Sequence, residues 1–228
     1  MKMYKSERRT DETMDKRGKL LIISGFSGVG KGTVVKGLLD MYKNYAISVS
    51  ATTRKPREGE IDGKSYFFKT VDEFKTMIDK NEFLEYAQYV NNYYGTPKAY
   101  VEQQLSKGNN VILEIEVVGA CNVKKIYSDA VMIFIVPPNA KELCDRLTFR
   151  GTEAADVIRE RLTRAVDEAD DVEKYDYVVV NDTIENCVDT INDIANDNSA
   201  VMERCKISAN LPFIKVIKND LKNILKGE

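Results

Sequence analysis

The sequence predicts an α/β protein built on a mostly parallel central sheet flanked by helices. Three observations carry that expectation. Short apolar runs (KLLIIS, VILEI, VMIFIV and YVVV) recur along the chain. Stretches of helical periodicity separate them. Parallel neighbours need crossover connections, and those helices supply them.

The first run, Lys19–Ser24, ends directly in glycines, as a strand buried on both faces does. Helical alternation follows over Val34–Met41. Further strands are expected at Val111–Ile115, Val131–Val136 and Tyr177–Val180, with helices at Ala140–Leu147 and Val157–Ala169. Between Ile47 and Tyr94 the texture changes to Tyr, Phe, Thr and charge, with turns at Glu58-Gly59 and Asp62-Gly63. A small, partly antiparallel insertion fits there. Near the end, Ile214, Ile217, Leu221, Ile224 and Leu225 recur at helical spacing and predict an amphipathic helix packed on the domain. The expected organisation is a polar, disordered leader at 1–18, a core at 19–46 and 98–198, an insertion at about 47–97 and an extension at 199–228.

At 228 residues the chain suits one domain with small mobile insertions. A formal net charge of -2 argues against a grip on nucleic-acid polymers and leaves a small partner as the expectation. The cysteines, Cys121, Cys144, Cys187 and Cys205, stand singly and histidine is absent, so no zinc site is expected and the thiols read as reduced. No stretch approaches the roughly 20 apolar residues of a membrane span. The charged start MKMYKSERRTDETMDKRGK is no secretory signal, so a cytoplasmic location is expected.

Gly25-Phe26-Ser27-Gly28-Val29-Gly30-Lys31 fits GxxxxGK after a predicted strand and before a predicted helix. Glycines let the backbone curl so that successive N–H groups face one anion, the helix N-terminus adds partial positive charge, and Lys31 supplies a full one. Gly25 to Thr33 are therefore the candidate ATP-binding segment. Gly32 stands where the pattern has a magnesium-holding hydroxyl, with Thr33 one place later. Magnesium is then expected mainly on nucleotide oxygens and water. The loop by itself leaves the acceptor open.

Arg54 and Arg57 flank Pro56, whose fixed φ stiffens the segment, so both guanidinium groups can converge on one phosphate. Ser48 to Glu60 reads SVSATTRKPREGE, followed by DGKSYFF, DEFKTMI and FLEYAQYVNNYYGTP. In order and spacing these segments resemble guanylate kinase, from about Lys19 to about Asp197. The resemblance implies a phosphate-loop nucleotide kinase fold with a small GMP-binding insertion and a lid at about 148–163. The implied reaction is magnesium-dependent phosphoryl transfer from ATP to GMP, with dGMP a further acceptor.

Further roles follow from the resemblance. Tyr66 and Tyr94 join Arg54 and Arg57 on the GMP phosphate; Ser50 and Thr96 face guanine O6; Glu85 accepts from N1–H and the 2-amino group. Such a set suits guanine, which pairs a carbonyl with two donors. Where the family usually carries two aspartates and a glutamine, this chain has Glu114, Glu116 and Val118. Glu114 is expected near magnesium or its waters, and Glu116 near the guanine edge or the phosphate-binding arginines. Arg146 and Arg150 lie four apart on one helix face, and Arg161 follows a turn at Gly151-Thr152. With Lys31 they are the expected catalytic cations of a closing lid. Arg159 and Arg164 read as solvated partners of nearby acids. Asn181-Asp182 resembles the family's VND segment and implies Asn181 beside adenine or ribose.

Two other readings stay open: an AMP-type kinase, encouraged by GKGT, and a non-catalytic guanylate-kinase-like interaction module. Monomer and homodimer are both compatible with the sequence.

Overall fold

The computed structural model describes residues 17–149 and 155–227. Along the chain run β1 (Leu20–Gly25), α1 (Lys31–Met41), β2 (Tyr45–Ile47), β3 (Ala51–Thr52), β4 (Phe67–Phe68) and α2 (Val71–Asp79). Then come β5 (Phe83–Tyr89), β6 (Asn92–Pro97), α3 (Lys98–Ser106), β7 (Asn110–Glu114), α4 (Val117–Ile126) and β8 (Val131–Val136). The last elements are α5 (Ala140–Phe149), α6 (Ala155–Asp171), a 3-10 turn (Val172–Lys174), β9 (Tyr177–Val180), α7 (Ile184–Ala195), α8 (Ser199–Cys205) and α9 (Ile207–Lys226).

The main sheet is parallel, in the order β2-β7-β1-β8-β9. All six residues of β1 are buried, because helices cover both faces of the strand at the middle of the sheet. The segment after β1 therefore leaves from the centre of the carboxyl edge, where open parallel sheets bind ligands. The strand missing from the sequence expectation is β2: three residues, Tyr-Ala-Ile, are too short to show a period.

A second sheet, in the order β4-β3-β6-β5, is built from the 47–97 region. It is mixed: β3 pairs parallel with β4 and antiparallel with β6, and β6 pairs antiparallel with β5. It has its own small core of Ala51, Phe74 and Phe83, in which the Phe74 and Phe83 rings stack at 4.4 Å. Helix α2 enters through a reciprocal capping box between Thr70 and Glu73, which satisfies two of its free amides.

The C-terminal extension forms two helices, α8 and α9. Ile214, Ile217 and Leu221 of α9 are buried in the main core, and α9 lies along α5 and α6. Lys218 of α9 pairs with Asp170 of α6. Most of the predicted leader, residues 1–16, and residues 150–154 of the predicted lid lie outside the described residues. The two leader residues that are described attach to α3: Arg17 pairs with Glu102 at 2.7 Å, and Gly18 N–H donates to the Leu105 carbonyl. Among the described residues all cysteines are free thiols, and no helix is long and apolar enough to cross a membrane.

Candidate functional site

The loop between β1 and α1 holds Gly28 at φ 88 and Gly30 at φ 95. This left-handed backbone is open to glycine at little cost, and it curls the chain around the start of α1. Gly30 is also the residue preceding α1, so the loop amides and the helix N-terminus face the same space. A Cβ at Gly32 would meet nothing within 4 Å, so sterics do not explain the missing hydroxyl there. Thr33, one residue on, is exposed.

Lys31 folds back on its own loop. Its Nζ donates to the Gly25 carbonyl at 2.7 Å and to the Phe26 carbonyl at 3.3 Å. Burial lowers its pKa, opposed by the nearby carboxylates of Glu168, Glu114 and Glu116. The Ser27 N–H donates at 2.8 Å to Glu168 Oε2 of α6. Burial raises the Glu168 carboxyl, while the Ser27 amide, Lys31 and Arg164 pull it the other way.

The loop is a wall between two clefts. One, of about 840 Å³, is lined by Ser27, Lys31, Glu114, Glu116, Arg161 and Arg164, with Tyr66 at its far side. The other, of about 600 Å³, is lined by Arg146, Asn181, Asp182 and Thr183. Gly28, Gly30 and Thr33 line both. The predicted lid cations are thus divided: Arg161 shares the first cleft with Lys31, and Arg146 stands in the second. Arg150 lies outside the described residues. Arg146 spends its fork on structure, donating to Glu142 at 2.9 Å, the Asn181 carbonyl at 2.9 Å and the Val29 carbonyl at 3.3 Å. Asn181 is buried, and its amide nitrogen donates to the same Val29 carbonyl at 2.8 Å. Both residues brace the loop from behind.

The second sheet gathers the predicted acceptor residues. Glu85 on β5 receives the Thr96 hydroxyl of β6 at 2.7 Å. Thr96 is fully buried. Burial raises the Glu85 carboxyl above its ordinary value, and the Thr96 hydrogen bond opposes that rise. Ser50 precedes β3, its carbonyl accepting from Phe67 N–H at 2.9 Å. The Arg54 guanidinium stands 5.4 Å over the Tyr66 ring, and Tyr66 meets Tyr94 edge-on at 6.2 Å. Arg57 is exposed.

Three contributors, Glu60, Gly119 and Glu168, escaped the sequence reading. Glu60 holds the arginine turn, one carboxylate oxygen on Arg54 at 2.7 Å and the other on the Arg57 N–H at 2.7 Å. Its spacing, three after Arg57 on a Gly turn, was the available signal. Gly119 stands where α4 packs on β5 of the second sheet; a Cβ there would come into ordinary contact, 3.4 Å, with Glu85 Oε2. Arg164, expected to be a solvated partner of nearby acids, is half-exposed, lines the cleft and has Glu116 and Glu168 as those partners. Glu168 itself looked like any acid of a charged helix. Glu116, largely exposed, pairs with Arg164 of α6.

Among the described residues no group of three or more His, Cys, Asp or Glu could hold a metal. The donor set fits only an ion that brings ligands of its own, as a nucleotide-bound one does.

A central parallel sheet, a phosphate loop at its carboxyl edge and a second small sheet across the cleft define the class: a phosphate-loop nucleotide kinase fold. A model of the guanylate kinase family matches residues 17–198. The guanylate kinase of Caldanaerobacter subterraneus subsp. tengcongensis is 46% identical over 208 residues, spanning 91% of this chain and 98% of that protein. That of Lactococcus lactis is 52% identical over 172 residues, 75% of this chain and 84% of the relative. The crystal structure of guanylate kinase from Anaplasma phagocytophilum superposes with a TM-score of 0.60 at 35% identity, covering 80% of this chain and 87% of that one. The chain belongs to the guanylate kinase family.

Proposed function

We propose that the protein transfers the γ-phosphoryl group of ATP to GMP, and to dGMP, giving ADP and GDP. The observation that carries the acceptor assignment is the enclosed Glu85 carboxylate held by Thr96 on the sheet facing the loop. That carboxylate accepts from guanine N1–H and the 2-amino group; the Ser50 hydroxyl serves O6, and the Thr96 hydroxyl, which has one proton to donate, turns from Glu85 to O6 as guanine arrives. Adenine presents an acceptor at N1 and no 2-amino group, so Glu85 would meet a lone pair in place of two base donors, and the pocket discriminates by that mismatch.

Arg54, Arg57, Tyr66 and Tyr94 hold the GMP phosphate, with Glu60 fixing the arginine turn. Lys31 leaves the Gly25 and Phe26 carbonyls for the transferring phosphoryl group, and Arg161, with Arg150, closes over it. Arg146 and Asn181 keep the loop in shape from the side that receives the adenosine. A GMP phosphate oxygen forms the new bond to the γ-phosphorus as the bond to the ADP oxygen breaks. The acceptor oxygen is already ionised, so no protein base is required. Positioning and charge neutralisation supply the catalysis. Thr33 and Glu114 would face the water shell of a magnesium ion carried in by the nucleotide, and such an ion would supply charge neutralisation at the transferring phosphates.

This reaction draws on the nucleotide pool of the cytoplasm. A coupled assay of ADP release with GMP, dGMP, AMP, UMP and CMP as acceptors tests the reading. Turnover with GMP exceeding that with AMP by about 100-fold or more is expected. Equal rates with AMP would overturn the guanine assignment, and no turnover with any acceptor would favour an interaction module.

A further inference from the structure

The geometry points to Arg164 as a positioning residue that ties the donor loop to the guanine wall through one ionic chain. The chain can be followed atom by atom. Ser27 N–H of the phosphate loop donates to Glu168 Oε2 at 2.8 Å, and Arg164 Nε donates to Glu168 Oε1 at 3.2 Å. The other side of the Arg164 fork meets Glu116 Oε1. Glu116 is the residue just before α4, and α4 packs on β5, the strand that carries Glu85, with Gly119 of its first turn the position nearest that carboxylate. A single guanidinium therefore connects the loop that receives ATP with the helix whose first turn backs the acceptor carboxylate.

A two-sided planar fork suits this place, since a guanidinium can hold two carboxylates in fixed directions and an ammonium cannot. Arg164 also sits one turn after Arg161 on α6, and both line the cleft of Lys31. The chain thus anchors α6 within a turn or two of Arg161. The inference rests on the phosphoryl-transfer reading above and deepens it: occupancy of the loop bears on the acceptor site through Arg164, and the reverse holds by linkage.

Steady-state kinetics of the full chain test it, with ATP varied at saturating GMP and GMP varied at saturating ATP. Arg164→Ala, Arg164→Lys, Glu168→Gln and the Ala/Gln double variant are compared, each with its thermal midpoint. Arg164→Ala is expected to raise both Michaelis constants by about 3- to 5-fold, the upper range for ion pairs that are half-exposed. Arg164→Lys restores the charge without the fork and is expected to leave both constants raised. The double variant is expected to lose no more than the worse single variant, because both residues act in one chain. Michaelis constants of Arg164→Ala within twofold of the unsubstituted protein would overturn the inference, whatever happens to the midpoint. So would fully multiplicative losses in the double variant. Failure of the phosphoryl-transfer reading shows separately, as absent GMP turnover in the unsubstituted chain.

Discussion

Thr96 and Glu85 face each other on the antiparallel strands β6 and β5, and the buried threonine hydroxyl donates to Glu85 Oε1 at 2.7 Å. The bond fixes a carboxylate that burial would otherwise push toward protonation. Thr96→Val keeps the shape and removes the donor. Stranding a buried acceptor costs about 1–3 kcal/mol, so the GMP Michaelis constant should rise by about 10-fold or more while that for ATP stays within about twofold. Initial rates with each substrate varied check this.

The same carboxylate makes a pH prediction. Its folded-state pKa is raised, so the folded protein holds the proton to higher pH than the unfolded chain. Stability then falls as pH rises from the ordinary carboxyl value through the raised one. Glu85→Gln should unfold at a higher temperature than the parent at pH 7, and the difference should vanish below about pH 4, where both forms are neutral. Thermal melts across that range, with loss of GMP turnover at pH 7, test the sign.

Lys31 rests on the Gly25 and Phe26 carbonyls and is poised for phosphate. Lys31→Ala should lower kcat by about 100-fold or more, as expected for a preorganised charge acting on developing negative oxygens. The fold should survive, since the lost group is a desolvated cation. An unchanged melting curve with unchanged kcat would refute the catalytic role.

Glu60 spans the Arg54–Arg57 turn with both carboxylate oxygens. Both partners are partly solvent-exposed, so the effect is modest: Glu60→Gln should raise the GMP Michaelis constant by about threefold and leave kcat unchanged.

Gly28 has φ 88, and a Cβ there would lie 2.5 Å from Leu147 Cδ2. Gly28→Ala is expected to cost about 1–2 kcal/mol from the left-handed backbone alone. Denaturant unfolding checks the cost, and a raised ATP Michaelis constant reports the distorted loop.

Strands β1, β7, β8 and β9 were legible because each has a run of three or more consecutive apolar residues at its centre, as strands covered on both faces do. Helix α9 was legible from its stripe of Ile and Leu. Strand β2 was not: three residues carry no period, and only the free edge of β7 makes them a strand. Glu168 was hidden for a related reason. On a charged helix every Arg and Glu looks alike, and what lies opposite is set by packing.

The sequence by itself determined the phosphate loop, the parallel sheet that carries it and the set of residue types that suits guanine. The first two depend on local backbone chemistry and short-range spacing; the third came through the resemblance to the family's motifs. Only the tertiary structure decided that Arg146 and Arg161 stand on opposite sides of the loop, that Glu116 faces α6, and that Glu168 holds a loop amide. Each of these joins elements distant in sequence, whose meeting depends on how helices pack on the sheet rather than on any local preference.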